Sequence, residues 1–320
     1  MLNTPVAFII FNRPEKTARV FEAIRQARPK QLFIIADGPR NEAERKRTDA
    51  TRAMTENVDW ECEVQRRYAP ENLSVKKGPP TGISWVFEHV DRAIFLEDDC
   101  LPDPTFFPYC EELLEKYKDD ERVMQISGDN FQRGNAGYNC PESYYFSVTA
   151  NLWGWATWRR AWQKYDERPM EAWPSVKKQG LLRDVFPDAA VRERWEILFE
   201  RNWAGKADTW EGPWLFACNI NRGLCINPKT NLVSNIGIDH EAAHWREGLS
   251  MEDEFANLPT TPLSFPLEHP PVLLANTQAD DYSSKTQHNI NRYFSQQWRW
   301  FLRSRFPRAY AQIKRTLSRR

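Results

Sequence analysis

Short apolar runs that stop abruptly at polar residues, with helical patterns between them, constrain this chain more than any other feature. Pro5–Phe11 is closed by Asn12-Arg13-Pro14, and Leu32–Ala36 by Asp37-Gly38-Pro39. Arg92–Leu96 ends at Glu97-Asp98-Asp99, and Val123–Ile126 at Ser127-Gly128-Asp129-Asn130. Runs this short, bounded by turn residues, read as buried strands, and Val64–Tyr68 is a further candidate. Between them lie helical patterns: Pro14 to about Ala27, with proline in the first turn, polar Asn41–Asn57, a segment carrying Trp85, Val86 and Phe87, and Thr105–Tyr117. Asn72–Thr81, with Gly78-Pro79-Pro80, reads as a loop leading into the third of these helices. Strands alternating with helices predict an α/β fold with a mixed, mostly parallel sheet flanked by helices. The second half is less regular, with helices expected near 189–202 and 210–221 and a proline-rich linker at 259–281.

Charge and composition exclude several classes. Lys+Arg and Asp+Glu are both 44, so the chain lacks the basic excess of a dedicated nucleic-acid binder, and no nucleic-acid partner is expected. No apolar stretch approaches the roughly 20 residues of a membrane helix, and the N-terminus shows no secretory signal. Six cysteines without CxxC spacing read as reduced thiols of a cytoplasmic protein. The neutral total hides an asymmetry. From Tyr282 to Arg320 there are ten basic residues and no acidic one, leaving the rest of the chain ten acids in excess. That tail interleaves Tyr293, Phe294, Trp298, Trp300, Phe301, Phe306 and Tyr310 with arginines, a pattern suited to an anionic membrane interface. The alternative is a C-terminal helix whose aromatics pack on the main domain.

In open parallel sheets, ligands sit beyond the carboxyl ends of the strands. The polar residues that close the early strands therefore gather on one rim: Asn12 and Arg13, Asp37, and Glu97-Asp98-Asp99. No GxGxxG or P-loop accompanies them. Three consecutive acids repel one another unless they are solvated or share a hard divalent cation with oxygen ligands. The continuation Cys100-Leu101-Pro102-Asp103-Pro104-Thr105-Phe106-Phe107, followed by a helix and Ile126-Ser127-Gly128-Asp129-Asn130, resembles the metal-binding region of inverting GT-A glycosyltransferases of the N-acetylglucosaminyltransferase I type. It also resembles bacterial nucleotide-diphospho-sugar transferases that share WGWATW and NLVSNIG stretches. The resemblance spans about residues 4–245.

That resemblance implies a Rossmann-like GT-A domain over 1–258, with a nucleotide-sugar half (1–131), an acceptor half (132–258) and a basic aromatic tail from 282. It implies Mn²⁺ or Mg²⁺ at Asp99, Asp98 beside the ribose, Glu97 beside the donor sugar, Arg13 near the phosphates and Asp37 facing uracil. A late histidine, His244, is a second candidate metal ligand. In these families the acid after a tryptophan acts as base, here Glu211 after Trp210. Asp208 is the rival, and both acids also suit an exposed helix start. Asn151-Leu152-Trp153-Gly154-Trp155-Ala156-Thr157-Trp158 places three indoles within six residues. Trp153, Trp155, Trp158 and Trp210 are thus candidate acceptor-binding residues, the alternative being an aromatic core wedge. The implied reaction is metal-dependent, inverting transfer from an NDP-sugar, UDP-linked by resemblance, to a hydroxyl of a glycan or lipid-linked acceptor. A sugar-phosphate nucleotidylyltransferase is disfavoured because the first strand is followed by no glycine-rich loop. A tryptophan-rich carbohydrate-binding protein would have no need of the acids.

Overall fold

The structure, a computed structural model, describes residues 1–165, 170–237 and 255–286. In chain order the elements are β1 (Val6–Ile10), α1 (Pro14–Ala27), β2 (Gln31–Ala36), α2 (Glu42–Ala53), β3 (Glu63–Tyr68), α3 (Ser74–His89) and β4 (Arg92–Glu97). There follow β5 (Cys100–Pro102), α4 (Phe106–Lys116), β6 (Val123–Ser127), β7 (Tyr144–Ser147), β8 (Trp155–Trp158), α5 (Arg159–Trp162) and α6 (Trp173–Gln179). The last are α7 (Ala189–Trp203), α8 (Glu211–Ile220), β9 (Leu224–Pro228), β10 (Val233–Asn235) and α9 (Thr277–Thr286).

Eight strands form one sheet in the order β3-β2-β1-β4-β8-β6-β9-β7. The first four are mutually parallel, β8 runs antiparallel to both β4 and β6, and β7 runs antiparallel to β9. Alternation along each strand explains why these runs are apolar throughout. Val6, Phe8 and Ile10 of β1, Leu32 and Ile34 of β2, and Ile94 and Leu96 of β4 pack on one face with α1 and α4. Ala7, Phe33, Ile35, Ala93 and Phe95 pack on the other with α3 and α8. In β1, β2 and β4, covered on both faces by apolar packing, polar residues are displaced to the strand ends. Gly82 allows α3 to lie close to β2, since a Cβ there would stand 2.4 Å from Ile35 Cγ2.

A second, smaller core joins α6, α7 and α8 through Trp173, Trp195, Phe199 and Phe216. Asp188 starts α7 by accepting from the backbone N–H groups of Ala190 (2.8 Å) and Val191 (2.9 Å).

Three expectations change. The Gly78-Pro79-Pro80 segment is not a loop, because α3 already begins at Ser74 and carries both prolines inside it. Asp37 Oδ1 accepts from Leu73 N just before the helix, and within it the Thr81 hydroxyl, past both prolines, donates to Lys77 O. The stretch expected as a linker lies against the main core, with Leu263 and Leu267 buried and Ser143 N donating to Glu268 O. Nor does the tail start at 282. Tyr282, Ser283 and Ser284 belong to α9, which is tied to the domain by Gln132 Nε2 donating to Ser283 Oγ and by an Asp280 carboxylate that accepts from Ser147 and Val148. The arginine- and aromatic-rich residues from 287 onward, and His244, lie outside the described residues.

Candidate active site

The carboxyl ends of β1, β2, β3 and β4 surround a cavity of about 450 Å³. Arg13, Asp37, Glu97, Asp98 and Asp208 line it, and the structure thereby brings together most of the rim residues that the sequence singled out. Asn12 stands beside them at the end of β1, its amide donating to Glu44 Oε1 at 2.7 Å.

Asp98 and Asp99 follow the last residue of β4 and are nearly enclosed. Asp98 accepts from Phe11 N and from Arg13 Nη1, both at 3.1 Å. The same Arg13 nitrogen donates to Asp99 Oδ2. Arg13 is thus shared by two carboxylates; although burial opposes its charge, Asp99 and Asp98 hold it above its usual range. One guanidinium does not balance the site. Burial, reinforced by Asp99, Glu211 and Asp98, pushes Glu97 well above the usual carboxylate range. Burial and the charge of Asp99 push Asp98 up to about 6, despite the opposing help of Arg13 and Phe11 N–H. Several acids packed where their charges cost free energy form a region that gains from an added cation.

Among the described residues, no three His, Cys, Asp or Glu side chains are grouped so as to hold a metal ion by themselves. A hard cation needs only one or two protein carboxylates when substrate phosphates and water complete its shell, and the acid-rich strand end around Asp99 fits that requirement.

Asp37 has a second role that the sequence did not show. Its Oδ1 accepts from Gly38 N and Leu73 N, both at 2.8 Å, and its Oδ2 from Asn72 Nδ2 at 2.9 Å. It therefore fastens the start of α3 to the end of β2 while lining the cavity. Burial raises its pKa, and the backbone N–H groups of Leu73, Gly38 and Ser74 oppose that rise.

Asp208 reaches the cavity from the loop between α7 and α8. Glu211 is the first residue of α8, accepts from Thr209 Oγ1 at 3.1 Å, and lies close enough to Glu97 for its charge to be felt there. Both candidate bases thus approach the same acidic strand end, Asp208 from the α7–α8 loop and Glu211 from the first turn of α8.

The tryptophans divide differently from the expectation. Trp155 is 1% exposed and stacks on Phe95 (ring centroids 5.0 Å apart) and Trp210 (5.9 Å). Trp210 is equally enclosed, and Trp158 is buried, with its indole N–H donating to Leu114 O and Arg160 over its ring. These three are core residues, because their faces are already covered by protein. Only Trp153 of the four remains half-buried, packed edge-on against Phe131.

The sequence missed Arg40, Arg67 and Asn72 as cavity residues. Arg67 obeys the same strand-end rule, standing near the end of β3, but an exposed-looking strand drew no attention to it. Asp129 was also missed. It is fully buried, accepts from Trp153 N at 3.0 Å, leaves Oδ1 without a partner, and is pushed well above the usual range by burial.

No family model matches this sequence, and no curated relative matches it. Solved structures with a partial likeness include a galactosyltransferase, LgtC, in complex with donor and acceptor sugar analogues: 12% identity, TM-score 0.31, covering 55% of this chain and 64% of that one. An apo UDP-glucose pyrophosphorylase is similar at 10% identity and TM-score 0.37, over 72% of this chain and 93% of that one. Mouse xyloside xylosyltransferase 1 in its apo form is similar at 12% identity and TM-score 0.29, over 67% and 81%. The chain spans less than two thirds of the length of the galactosyltransferase. All three TM-scores lie below 0.5.

Proposed function

We propose that this protein is a metal-dependent, inverting glycosyltransferase of the GT-A kind. It moves a hexosyl or N-acetylhexosaminyl group from an NDP-sugar, with UDP the first donor to test, to a hydroxyl of a glycan or lipid-linked acceptor. One observation carries the reading: a cavity at the carboxyl ends of parallel strands holds Arg13 and Asp37 together with an acidic strand end whose charge exceeds its protein partners. A nucleotide with a diphosphate, bound with a divalent cation, suits both properties.

In this reading Asp99 holds Mn²⁺ or Mg²⁺, with His244 a further candidate ligand, and the bound ion would offset charge on the departing diphosphate as a Lewis acid. Arg13 orients Asp98 and Asp99 and lies on the side from which the phosphates arrive. Asp37 and Asn72 shape the base end of the cavity. Glu97 faces the donor sugar, where its carboxyl can hydrogen-bond a sugar hydroxyl. Glu211 accepts the proton of the acceptor hydroxyl as its oxygen attacks the anomeric carbon opposite the diphosphate, and Asp208 is the alternative base. Trp153 is the remaining indole of the predicted set that can meet an acceptor. The cationic aromatic tail would hold a cytoplasmic enzyme peripherally at an anionic membrane face. Among the described residues, no helix is long and apolar enough to cross a membrane.

The test is a thermal-shift screen of nucleoside-diphosphate sugars with and without Mn²⁺. A ligand that binds only the folded chain raises its melting temperature by mass action. The reading expects a UDP-sugar to stabilise in Mn²⁺ and to lose most of that effect in EDTA; no stabilisation by any member of the set contradicts it.

A further inference from the structure

The Asn231–Gly237 stretch was singled out by its sequence, yet the chemistry above assigns it nothing. The structure seats it directly on the acidic strand end. β10 pairs antiparallel with β5 in the register Asn235↔Cys100, Ser234↔Leu101 and Val233↔Pro102. Two further backbone bonds extend the pairing on either side: Ile236 N donates to Asp99 O (2.8 Å), and Asp103 N donates to Leu232 O (2.8 Å). Gly237 comes next. Its N–H donates to Asn235 Oδ1 at 2.8 Å, and its carbonyl accepts from Lys16 Nζ of α1 at 2.7 Å. The glycine is therefore held from both sides.

A Cβ on Gly237 would stand 2.2 Å from Asp99 Oδ2, 2.9 Å from Asn235 Oδ1 and 3.0 Å from Asp99 Cγ. Its backbone is not in the left-handed region that favours glycine, so alanine would meet no conformational penalty there. What glycine supplies at this position is space, and the atom that reaches deepest into it is a carboxylate oxygen of Asp99, with Asn235 Oδ1 at its edge. We propose that Gly237, clamped by the β10–β5 pairing and by Lys16, is the positioning residue for Asp99. By leaving that volume open it lets the carboxylate take the orientation in which it meets Arg13 and in which it would meet a divalent cation. The inference deepens the metal-dependent reading above and rests on it for its cation.

The conflict introduced by Gly237→Ala is severe with the Asp99 carboxylate and smaller with the Asn235 amide, both ends of side chains that can rotate, so the variant should fold. The test compares full-length wild type with Gly237→Ala in three measurements. The melting temperature is expected to change by no more than about 2 °C. Mn²⁺ affinity, read from the free-ion electron paramagnetic resonance signal in the presence of UDP, is expected to fall at least about tenfold, the scale seen when the support of a metal ligand is disturbed. A crystal structure of the variant is expected to show Asp99 in a different rotamer with its bond to Arg13 broken. Unchanged Mn²⁺ affinity, or an Asp99 that keeps its rotamer while the Gly237 backbone moves aside, would overturn the proposal. If wild type binds no Mn²⁺ with or without UDP, the metal-dependent reading itself falls, while the crystallographic comparison still decides whether Gly237 sets Asp99.

Discussion

The two halves of the sheet treat their polar and aromatic residues in opposite ways. In the parallel half, β3-β2-β1-β4, the inner strands β2, β1 and β4 are apolar and buried, the edge strand β3 is polar, and acids and arginines collect at the carboxyl ends around the cavity. In the mixed half, β8-β6-β9-β7 and the helices packed on it, Trp155, Trp162, Trp210 and Trp214 form one enclosed cluster. The first half therefore presents chemistry to solvent, and the second uses its indoles as volume. Gln125 illustrates the difference. It lies on β6, fully buried, and its side-chain oxygen accepts from the Trp214 indole while its amide donates to Asn151 O and Ser127 Oγ. A polar group in this half is spent on holding rings in place.

The largest expected effect tests the second half. Trp155→Ala should destabilise the chain by about 3–5 kcal/mol, the usual cost of emptying a buried aromatic site, as read by urea unfolding. A small loss of stability with a raised KM for acceptor would instead return Trp155 to the ligand side of the comparison. In the first half, Glu211→Gln should lower kcat by roughly 10²-fold, the scale of general-base catalysis, with donor affinity nearly unchanged. Near-normal turnover in that variant, together with loss in Asp208→Asn, moves the role to Asp208.

A smaller effect lies where α9 meets β7. Burial raises Asp280 to about 6, above the ordinary 3.8, with Ser147 and Val148 opposing the rise. The folded state therefore holds this proton more tightly than the unfolded chain. The resulting stabilisation is full below about pH 4 and is lost as pH rises through about 6. Asp280→Asn should remove that slope and raise stability at pH 7 by about 1 kcal/mol, measured by melting temperature across pH 4–8. A variant that keeps the wild-type slope would assign it to other groups.

The weakest expected effect concerns the tail. Full-length protein should sediment with anionic liposomes at low salt, while a chain ending at Thr286, which keeps α9 whole, should remain in solution. Equal behaviour of the two would assign the tail to packing on the domain.

The same contrast explains what was legible in the sequence. Strands buried on both faces read as continuous apolar runs, so β1, β2, β4 and β6 and the polar residues that end them could be located from the chain alone. The acid run after β4 was legible because like charges side by side demand a reason. The tryptophans misled because an indole has the same identity in a core as on a sugar, and only the neighbours Phe95 and Trp214 decide which. The prolines of α3 read as a loop because local propensity cannot show that Asp37 and Thr81 hold the helix through them. Leu263 and Leu267 sit in a proline-rich stretch whose composition resembles a linker, and only tertiary packing shows them buried. Gly237 carried no signal of its own, since the volume it leaves open belongs to a residue 138 positions earlier in the chain.

The proposed function requires the acidic end of β4 to bind a nucleotide diphosphate together with a divalent cation through Asp99. Calorimetric titration of UDP into wild type and Asp99→Asn, each in Mn²⁺ and in EDTA, tests it most directly. Wild type is expected to bind UDP in Mn²⁺ and to lose most of that affinity in EDTA, and Asp99→Asn is expected to show the same loss with its melting temperature preserved. Equal UDP affinity of the two proteins in Mn²⁺ would contradict it.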